Sequence, residues 1–279
     1  MTVGIVGLGL IGGSFAKSAK EFGHTVLGFD LSEQTYLEAK LFSTVDGVLD
    51  NASLGKCEVV LIALYPSAAV RYIQEHLAYF KKGGFVIDCC GIKRVVCDAV
   101  QSIADENGFM FIGGHPMAGT QFTGFKHSRS TLFKNAPIIL TPPDSVSSDI
   151  LMLERLKQFF IGLGFGSVIF TSPSEHDKMI AYTSQLAHIL SSAYIKSPSA
   201  MGHKGFSAGS YKDMTRVARL NEDMWTELFM DNRDYLSAEL GILIDNLTEY
   251  KSVVDSGDKA ALHTLLREGK EIKERVERS

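Results

Sequence analysis

Residues 4–30 constrain the chain most. Gly4-Ile5-Val6 reads as a short buried strand that runs straight into Gly7-Leu8-Gly9-Leu10-Ile11-Gly12, a G-x-G-x-x-G turn. Residues 15–20 then read as a helix, and a second strand, 25–29, closes on Asp30. Gly7 permits the tight turn, Gly9 lets backbone approach a pyrophosphate, and Gly12 lets the helix pack close to the strand. The helix N-terminus offers unpaired N–H groups and a partial positive charge to that anion. Asp30 lies about 20 residues past the glycines, where a carboxylate can accept bonds from an adenosine ribose. It repels a 2′-phosphate, and Leu31-Ser32-Glu33 supplies no Arg to receive one, so NAD is expected over NADP. A glycine turn without a ligand is the alternative. The strand–turn–helix context and the acid favour the dinucleotide site, with Gly7, Leu8, Gly9, Leu10, Ile11, Gly12 and Asp30 as its residues.

The remaining bulk properties exclude more than they specify. The 279 residues suggest one large or two modest domains, and 45% hydrophobic content builds an ordinary core. The net charge is −4 with dispersed Lys and Arg, so nucleic acid is not an expected partner. No apolar run approaches the roughly 18 residues that cross a bilayer. The chain enters a strand at once, leaving no signal peptide, and no further domain is expected beyond residue 279. Cys57, Cys89, Cys90 and Cys97 lack zinc-type spacing with histidines, and the vicinal pair reads as packed thiols. A reducing cytoplasm fits this usage.

Up to residue 171, strand and helix patterns alternate, as in a parallel sheet. Strands are expected at 58–64, 85–88, 109–113, 137–140 and 167–170, with helices at 67–80, 92–107 and 151–163. Beyond Thr171 the pattern is helical. Ser172-Pro173-Ser174-Glu175 is a capping box that opens a helix running to about Lys196. Residues 202–210 form a Gly/Ser-rich loop. Asn221 caps a long helix to about Val254, whose stripe Trp225, Phe229, Asn232, Leu236, Leu240, Leu243, Leu247, Tyr250, Val254 steps by three and four. The expected fold is therefore α/β: a Rossmann-type doubly wound parallel sheet over residues 1–171, then an all-helical substrate and dimerisation domain over 172–279. The apolar stripe is more than one monomer can cover, so a homodimer is expected.

In an open parallel sheet, ligands lie beyond the C-terminal ends of the strands. There the sequence places Leu64-Tyr65-Pro66-Ser67, Asp88-Cys89-Cys90-Gly91-Ile92-Lys93 and Gly114-His115-Pro116-Met117-Ala118-Gly119. Leu64 and Tyr65 are expected to line the cofactor. His115, on a loop fixed by Pro116 and flanked by glycines, is the candidate acid/base, since imidazole titrates near neutral pH. Its alternative role is to hydrogen-bond the loop backbone. In the helical half, Asp177, Ala181, Ser184 and His188 step by four, three and four and share one helix face. The polar cluster Ser184, Gln185 and His188 either faces a ligand or satisfies buried partners. Arg216 either grips a carboxylate bidentately or pairs with Asp213 or a helix end.

Assembled, these pieces resemble the prephenate/arogenate dehydrogenase family. The likeness rests on Gly7-Leu8-Gly9-Leu10-Ile11-Gly12-Gly13-Ser14, Gly114-His115-Pro116-Met117-Ala118-Gly119, Glu175-His176-Asp177 leading to Ser184-Gln185-Leu186-Ala187-His188, and Tyr211-Lys212-Asp213-Met214-Thr215-Arg216. It covers nearly the whole chain. The resemblance implies that His115 takes the proton from a ring hydroxyl. It implies that His188, Ser184 and Gln185 line the substrate pocket, that Arg216 binds a substrate carboxylate, and that Trp225 lies near the active site. Two departures stand out. Many relatives carry Ser where this chain has Gly91, so a backbone group, a water or Cys90 must do that hydroxyl's work. Relatives often have His-Leu-Pro-His where this chain has Gln185-Leu186-Ala187-His188.

The implied activity is NAD-dependent oxidative decarboxylation of prephenate to 4-hydroxyphenylpyruvate, in tyrosine biosynthesis. Arogenate is the rival substrate. A β-hydroxyacid-type dehydrogenase would rely on a lysine of the helical half, and Lys178, Lys196, Lys204 and Lys212 stand in no such motif. A nucleotide sensor without turnover has no use for a base at His115.

Overall fold

In the computed structural model, which describes residues 1–120 and 122–278, the alternation of the first 170 residues builds one eight-stranded sheet. Strand β1 (Thr2–Val6) is followed by helix α1 (Leu10–Glu21), β2 (Thr25–Phe29), α2 (Glu33–Leu41), the short β3 (Gly47–Val48) and α3 (Asn51–Leu54). Then come β4 (Val59–Ile62), α4 (Pro66–Glu75), β5 (Phe85–Asp88), α5 (Arg94–Asn107), β6 (Met110–Pro116) and β7 (Pro137–Thr141). Helices α6 (Asp144–Ser147) and α7 (Ile150–Gly162) lead to β8 (Ser167–Phe170). Strand order is β3-β2-β1-β4-β5-β6-β7-β8. The chain reverses direction across the sheet after β3, which makes the switch point at β1 and β4, where open sheets bind ligands.

The sheet is parallel except at one seam. β7 runs antiparallel to β6, pairing His115 with Ile139, so the expected all-parallel sheet holds only up to β6. Two apolar layers cover its faces. One centres on Phe15, Phe133, Phe160 and Phe165. The other centres on Ile62, Ile73, Val96 and Phe111. β1, β4 and β5 are buried along nearly their whole length, as strands covered on both faces must be.

After β8 the chain is helical, as expected. Ser172 caps α8 (Pro173–Ile180) by accepting from the Glu175 amide. The single helix expected to Lys196 is interrupted. Residues Ala181–Gln185 form one wide i→i+5 turn before α9 (Leu186–Ile195). The extra residue rotates everything after it, so Asp177 and His188 do not share the face that a regular helix gives them. The expected Gly/Ser loop, 202–210, gives way at its end to α10 (Gly209–Thr215), a helix not expected from the sequence. Asn221 caps α11 (Glu222–Asp231), as expected.

The long helix expected from Asn221 to Val254 also breaks. Asn232 leaves helical geometry and buries its side chain, donating to the Asp177 carbonyl and Gln185 Oε1, both at 2.8 Å. Arg94 Nη2 donates to its oxygen at 2.9 Å. The helical stripe read through Asn232 is therefore two segments with a polar post between them. The expected helix 67–80 similarly ends at Glu75 and tightens into a 3-10 turn over Leu77–Tyr79.

The chain forms two compact units, Met1–Asn232 and Arg233–Ser279. The second is a helical hairpin of α12 (Arg233–Ser256) and α13 (Lys259–Arg278). Gly257, at φ 68°, makes the turn between them. Among the described residues no helix is long and apolar enough to cross a membrane.

Replacing Asn232 with Leu removes the donor to Gln185 Oε1 and to the Asp177 carbonyl. Each buried polar group left unpaired costs about 1–3 kcal/mol. Asn232→Leu is therefore expected to lose about 2–4 kcal/mol, read as a lower urea midpoint with an unchanged slope.

Candidate active site

The glycine turn has the shape that a dinucleotide pyrophosphate needs. Gly7 sits at φ 84°, and a Cβ there would meet the Ala63 carbonyl at 2.6 Å. A Cβ on Gly12 would meet the Gly7 carbonyl at 1.8 Å. At Gly9 a Cβ would meet nothing within 4 Å, so that face is open. Gly9 begins α1 with no side chain capping it, and the N–H groups of the first turn lack intrahelical partners. Leu10 and Ile11 belong to this turn, and both are partly buried against the core. The residues present thus fit the anion.

Asp30 does structural work as well. One carboxylate oxygen accepts from the Leu8 amide at 2.7 Å, the other from the Ser32 amide at 2.8 Å. It braces the glycine turn from the end of β2. Leu64 and Tyr65 follow β4, Leu64 partly buried and Tyr65 half-exposed.

The base candidate sits on a clamped strand end. Asp88 and Lys93 are fully buried and ion-paired. The Asp88 carboxylate accepts from the Gly114 amide at 3.1 Å and the Cys90 amide at 2.9 Å. Lys93 Nζ donates to the Gly114 carbonyl at 2.6 Å. Both backbone groups of Gly114 are thus held by one ion pair, and His115 is the next residue. Burial pulls the Lys93 ammonium down, but Asp88, Cys90 and Cys97 together outweigh it and hold the pKa above the usual value.

His115 is half-buried and its Nδ1 lies 2.9 Å from His176 Nε2. His176 Nδ1 lies 2.7 Å from Asp177 Oδ1. Asp177 also accepts from the Lys93 and Arg94 amides at 2.7 and 2.9 Å, and from Arg94 Nε. In the sequence His176 and Asp177 stand within a motif that assigns neither a role, and Lys93 stands only as the last residue of the segment after β5. The available signal was a charged residue in an otherwise apolar stretch beside a strand end. Asp177 was instead expected on the His188 face, which the wide turn separates.

A second cluster forms around His188. Its ring packs tilted against Trp225, centroids 4.0 Å apart and planes at 32°, and its Nδ1 hydrogen-bonds the Ser184 carbonyl at 2.8 Å. Arg216 is near enough to lower the His188 pKa, though burial is the larger cause. Arg216 is exposed, and among the described residues no ion pair ties it to Asp213. α11, which carries Trp225, is pinned to the first turn of α4, since Glu227 accepts from the Ser67 amide at 2.7 Å. Ser184 is half-buried.

Two expectations take different form. Gln185 is buried, donating to the Leu228 carbonyl at 2.9 Å and accepting from Asn232, so both ends of its amide are committed to the protein. Cys90 does not stand in for the missing hydroxyl beside Gly91. Its thiol is buried, points at the Leu64 carbonyl and is pushed well up by burial. A Cβ at Gly91 would lie 3.4 Å from the Leu228 methyls, so Leu228 fills the space beside that position. Among the described residues no cluster of His, Cys, Asp and Glu could hold a metal ion.

The cluster predicts acid sensitivity. Burial first, then neighbouring charge, holds His115 well below the ordinary histidine value, and burial lowers His176 and His188 too. The unfolded chain then binds protons near pH 6.5 that the folded chain refuses, so stability falls as pH drops below about 6.5. Burial raises the Asp177 carboxyl, but hydrogen bonds from His176 and the Arg94 and Lys93 amides outweigh it and lower its pKa. Its contribution is lost as pH falls through that lowered value. Urea midpoints at pH 5 should lie below those at pH 7.5, and His115→Asn should narrow the gap.

The family model described as prephenate dehydrogenase, nucleotide-binding domain, matches residues 15–169. The one described as prephenate dehydrogenase, dimerization domain, matches residues 172–268. The prephenate dehydrogenase of Bacillus subtilis (strain 168) is 26% identical over 283 residues, spanning 98% of this chain and 75% of that protein. The arogenate dehydrogenase of Synechocystis superposes with a TM-score of 0.81 at 25% identity, covering 99% of this chain and 100% of that one. The prephenate dehydrogenase of A. aeolicus, solved with hydroxyphenyl propionate and NAD+, gives 0.82 at 25% identity over 99% of this chain and 98% of that one.

Proposed function

The chain belongs to the prephenate dehydrogenase family, and from that premise we propose that it oxidatively decarboxylates prephenate to 4-hydroxyphenylpyruvate, using NAD and contributing to tyrosine biosynthesis. The observation that carries the reading is His115: a half-buried imidazole on a clamped strand end, in the ligand-binding edge of the sheet. Bound NAD+ supplies the hydride acceptor. The glycine turn and the N-terminus of α1 hold its pyrophosphate, and Asp30 selects against a 2′-phosphate.

His115 accepts the proton of the ring hydroxyl as the carbonyl forms. Burial keeps the imidazole neutral near pH 7, the state a base requires. Loss of CO₂ then makes the ring aromatic. Arg216 and His188 anchor the carboxylates, Trp225 fixes the His188 ring, and Ser184 lines the same pocket. Gln185 acts at one remove, by fixing Leu228 and Asn232. The charge that acts on His188 is the Arg216 guanidinium, which repels an ammonium. That supports the keto acid prephenate over arogenate. Residues 1–171 would serve the cofactor and 172–279 the substrate and the subunit contact. Four free thiols fit a cytoplasmic location.

A homodimer through the terminal helices completes the reading. α12 exposes Ile242, Ile244, Leu247 and Val254, and α13 exposes Leu266, Ile272 and Val276. That much uncovered aliphatic surface marks an interface. Light scattering at micromolar concentration should return twice the chain mass; a monomer would remove this element.

Absorbance at 340 nm, with NAD+ and each substrate, tests the activity. Prephenate should give the larger kcat/KM. General-base catalysis is typically worth about 10²–10⁴-fold, so His115→Asn should lower kcat by that order with little change in KM. Arg216→Ala should mainly raise KM. Near-normal turnover by His115→Asn would take the base role away from it.

A further inference from the structure

We infer that His176, backed by Asp177, is a positioning residue that sets the tautomer of His115 and leaves its Nε2 free as the base. The inference rests on the proposed role of His115 and adds residues to it. Three groups line up: His115 Nδ1 to His176 Nε2 at 2.9 Å, and His176 Nδ1 to Asp177 Oδ1 at 2.7 Å. The rings of the two histidines meet edge to face, with centroids 5.1 Å apart.

The direction of the protons follows from the far end. Asp177, on α8, caps the start of α5, accepting two amide hydrogens and one guanidinium hydrogen, which keeps it a carboxylate. A carboxylate only accepts, so His176 Nδ1 carries a hydrogen and donates it. A neutral His176 then presents a lone pair at Nε2. Facing it, His115 Nδ1 must carry the hydrogen, and the lone pair of His115 is at Nε2. Without that partner, a neutral imidazole in water favours the hydrogen on Nε2, the form that cannot act as base there. When Nε2 of His115 takes a proton, Nδ1–H keeps its acceptor, and the imidazolium charge faces the chain that ends on Asp177. The arrangement parallels the base-and-orienter logic of hydrolase triads, where a wrong tautomer drops kcat about 10⁴-fold.

The surroundings leave His176 no other task. Its side chain is fully buried, and Asp177 and His115 take its two nitrogens. The nearby Lys93 ammonium is spent on Asp88 and Gly114.

The test uses the whole enzyme labelled with ¹⁵N in histidine. In the wild type at neutral pH, His115 should show a protonated Nδ1 and a bare Nε2. His176→Phe should convert His115 mainly to the Nε2–H form and lower kcat by about 10²–10⁴-fold, with KM within about threefold. His176→Gln guards against simple misfolding. Its amide can donate to Asp177 and accept from His115, so it should keep the Nδ1–H form and recover at least tenfold of the lost kcat. A wild type with Nε2–H at His115, or a His176→Phe enzyme with unchanged kcat, overturns the inference. A wild-type enzyme that oxidises neither prephenate nor arogenate overturns the proposed function instead, and the tautomer readout stands apart from it.

Discussion

One carboxylate ties the sheet to the helices that follow it. Asp177, on the first helix after the sheet, reaches back to cap α5 through the Lys93 and Arg94 amides and grips the Arg94 side chain. A negative charge at a helix N-terminus is favourable in itself, and burial strengthens the effect. The same carboxylate holds His176, and through it His115. The base is thus positioned from two directions: along its own strand, and across from the helical segment. Among the described residues every buried side-chain nitrogen and oxygen has a partner, which is what a polar network in an apolar setting requires.

The Asp88–Lys93 pair is the second support. Two charges with no solvent contact are expensive to bury, and an apolar pair of similar volume often does as well for stability. The geometry suggests what the cost secures. The pair closes on both the N–H and the C=O of Gly114, where a Cβ would strike the Asp88 carbonyl at 2.5 Å. Hydrophobic residues could fill that space but could not hold a backbone unit by both ends.

Much of this was legible in the residues. The glycine turn, its acid and the alternation of strands gave the sheet, because each rests on local patterns of period two or on residue types that few other settings require. The helical half was legible as helical and misread in detail. Its errors have one source: Asn232 and residues 181–185 break periodicity through contacts with distant residues, and period counting sees only neighbours. His115 and Arg216 stood out because chemistry isolates them. His176 and Lys93 did not, since their roles depend on partners 61 and 5 residues away that only the fold brings together.

The wide turn between α8 and α9 carries a consequence for sequence change. It contains one residue more than regular geometry needs, and each residue of a helix advances the direction of its side chains by about 100°. Deleting any one position in 181–185 would make a more regular rod and swing His188 off the Trp225 ring while leaving Asp177 in place. An irregularity that looks like a flaw thus works as a sighting adjustment, letting one rod aim at two targets. Length in these five residues is therefore under tighter constraint than their composition.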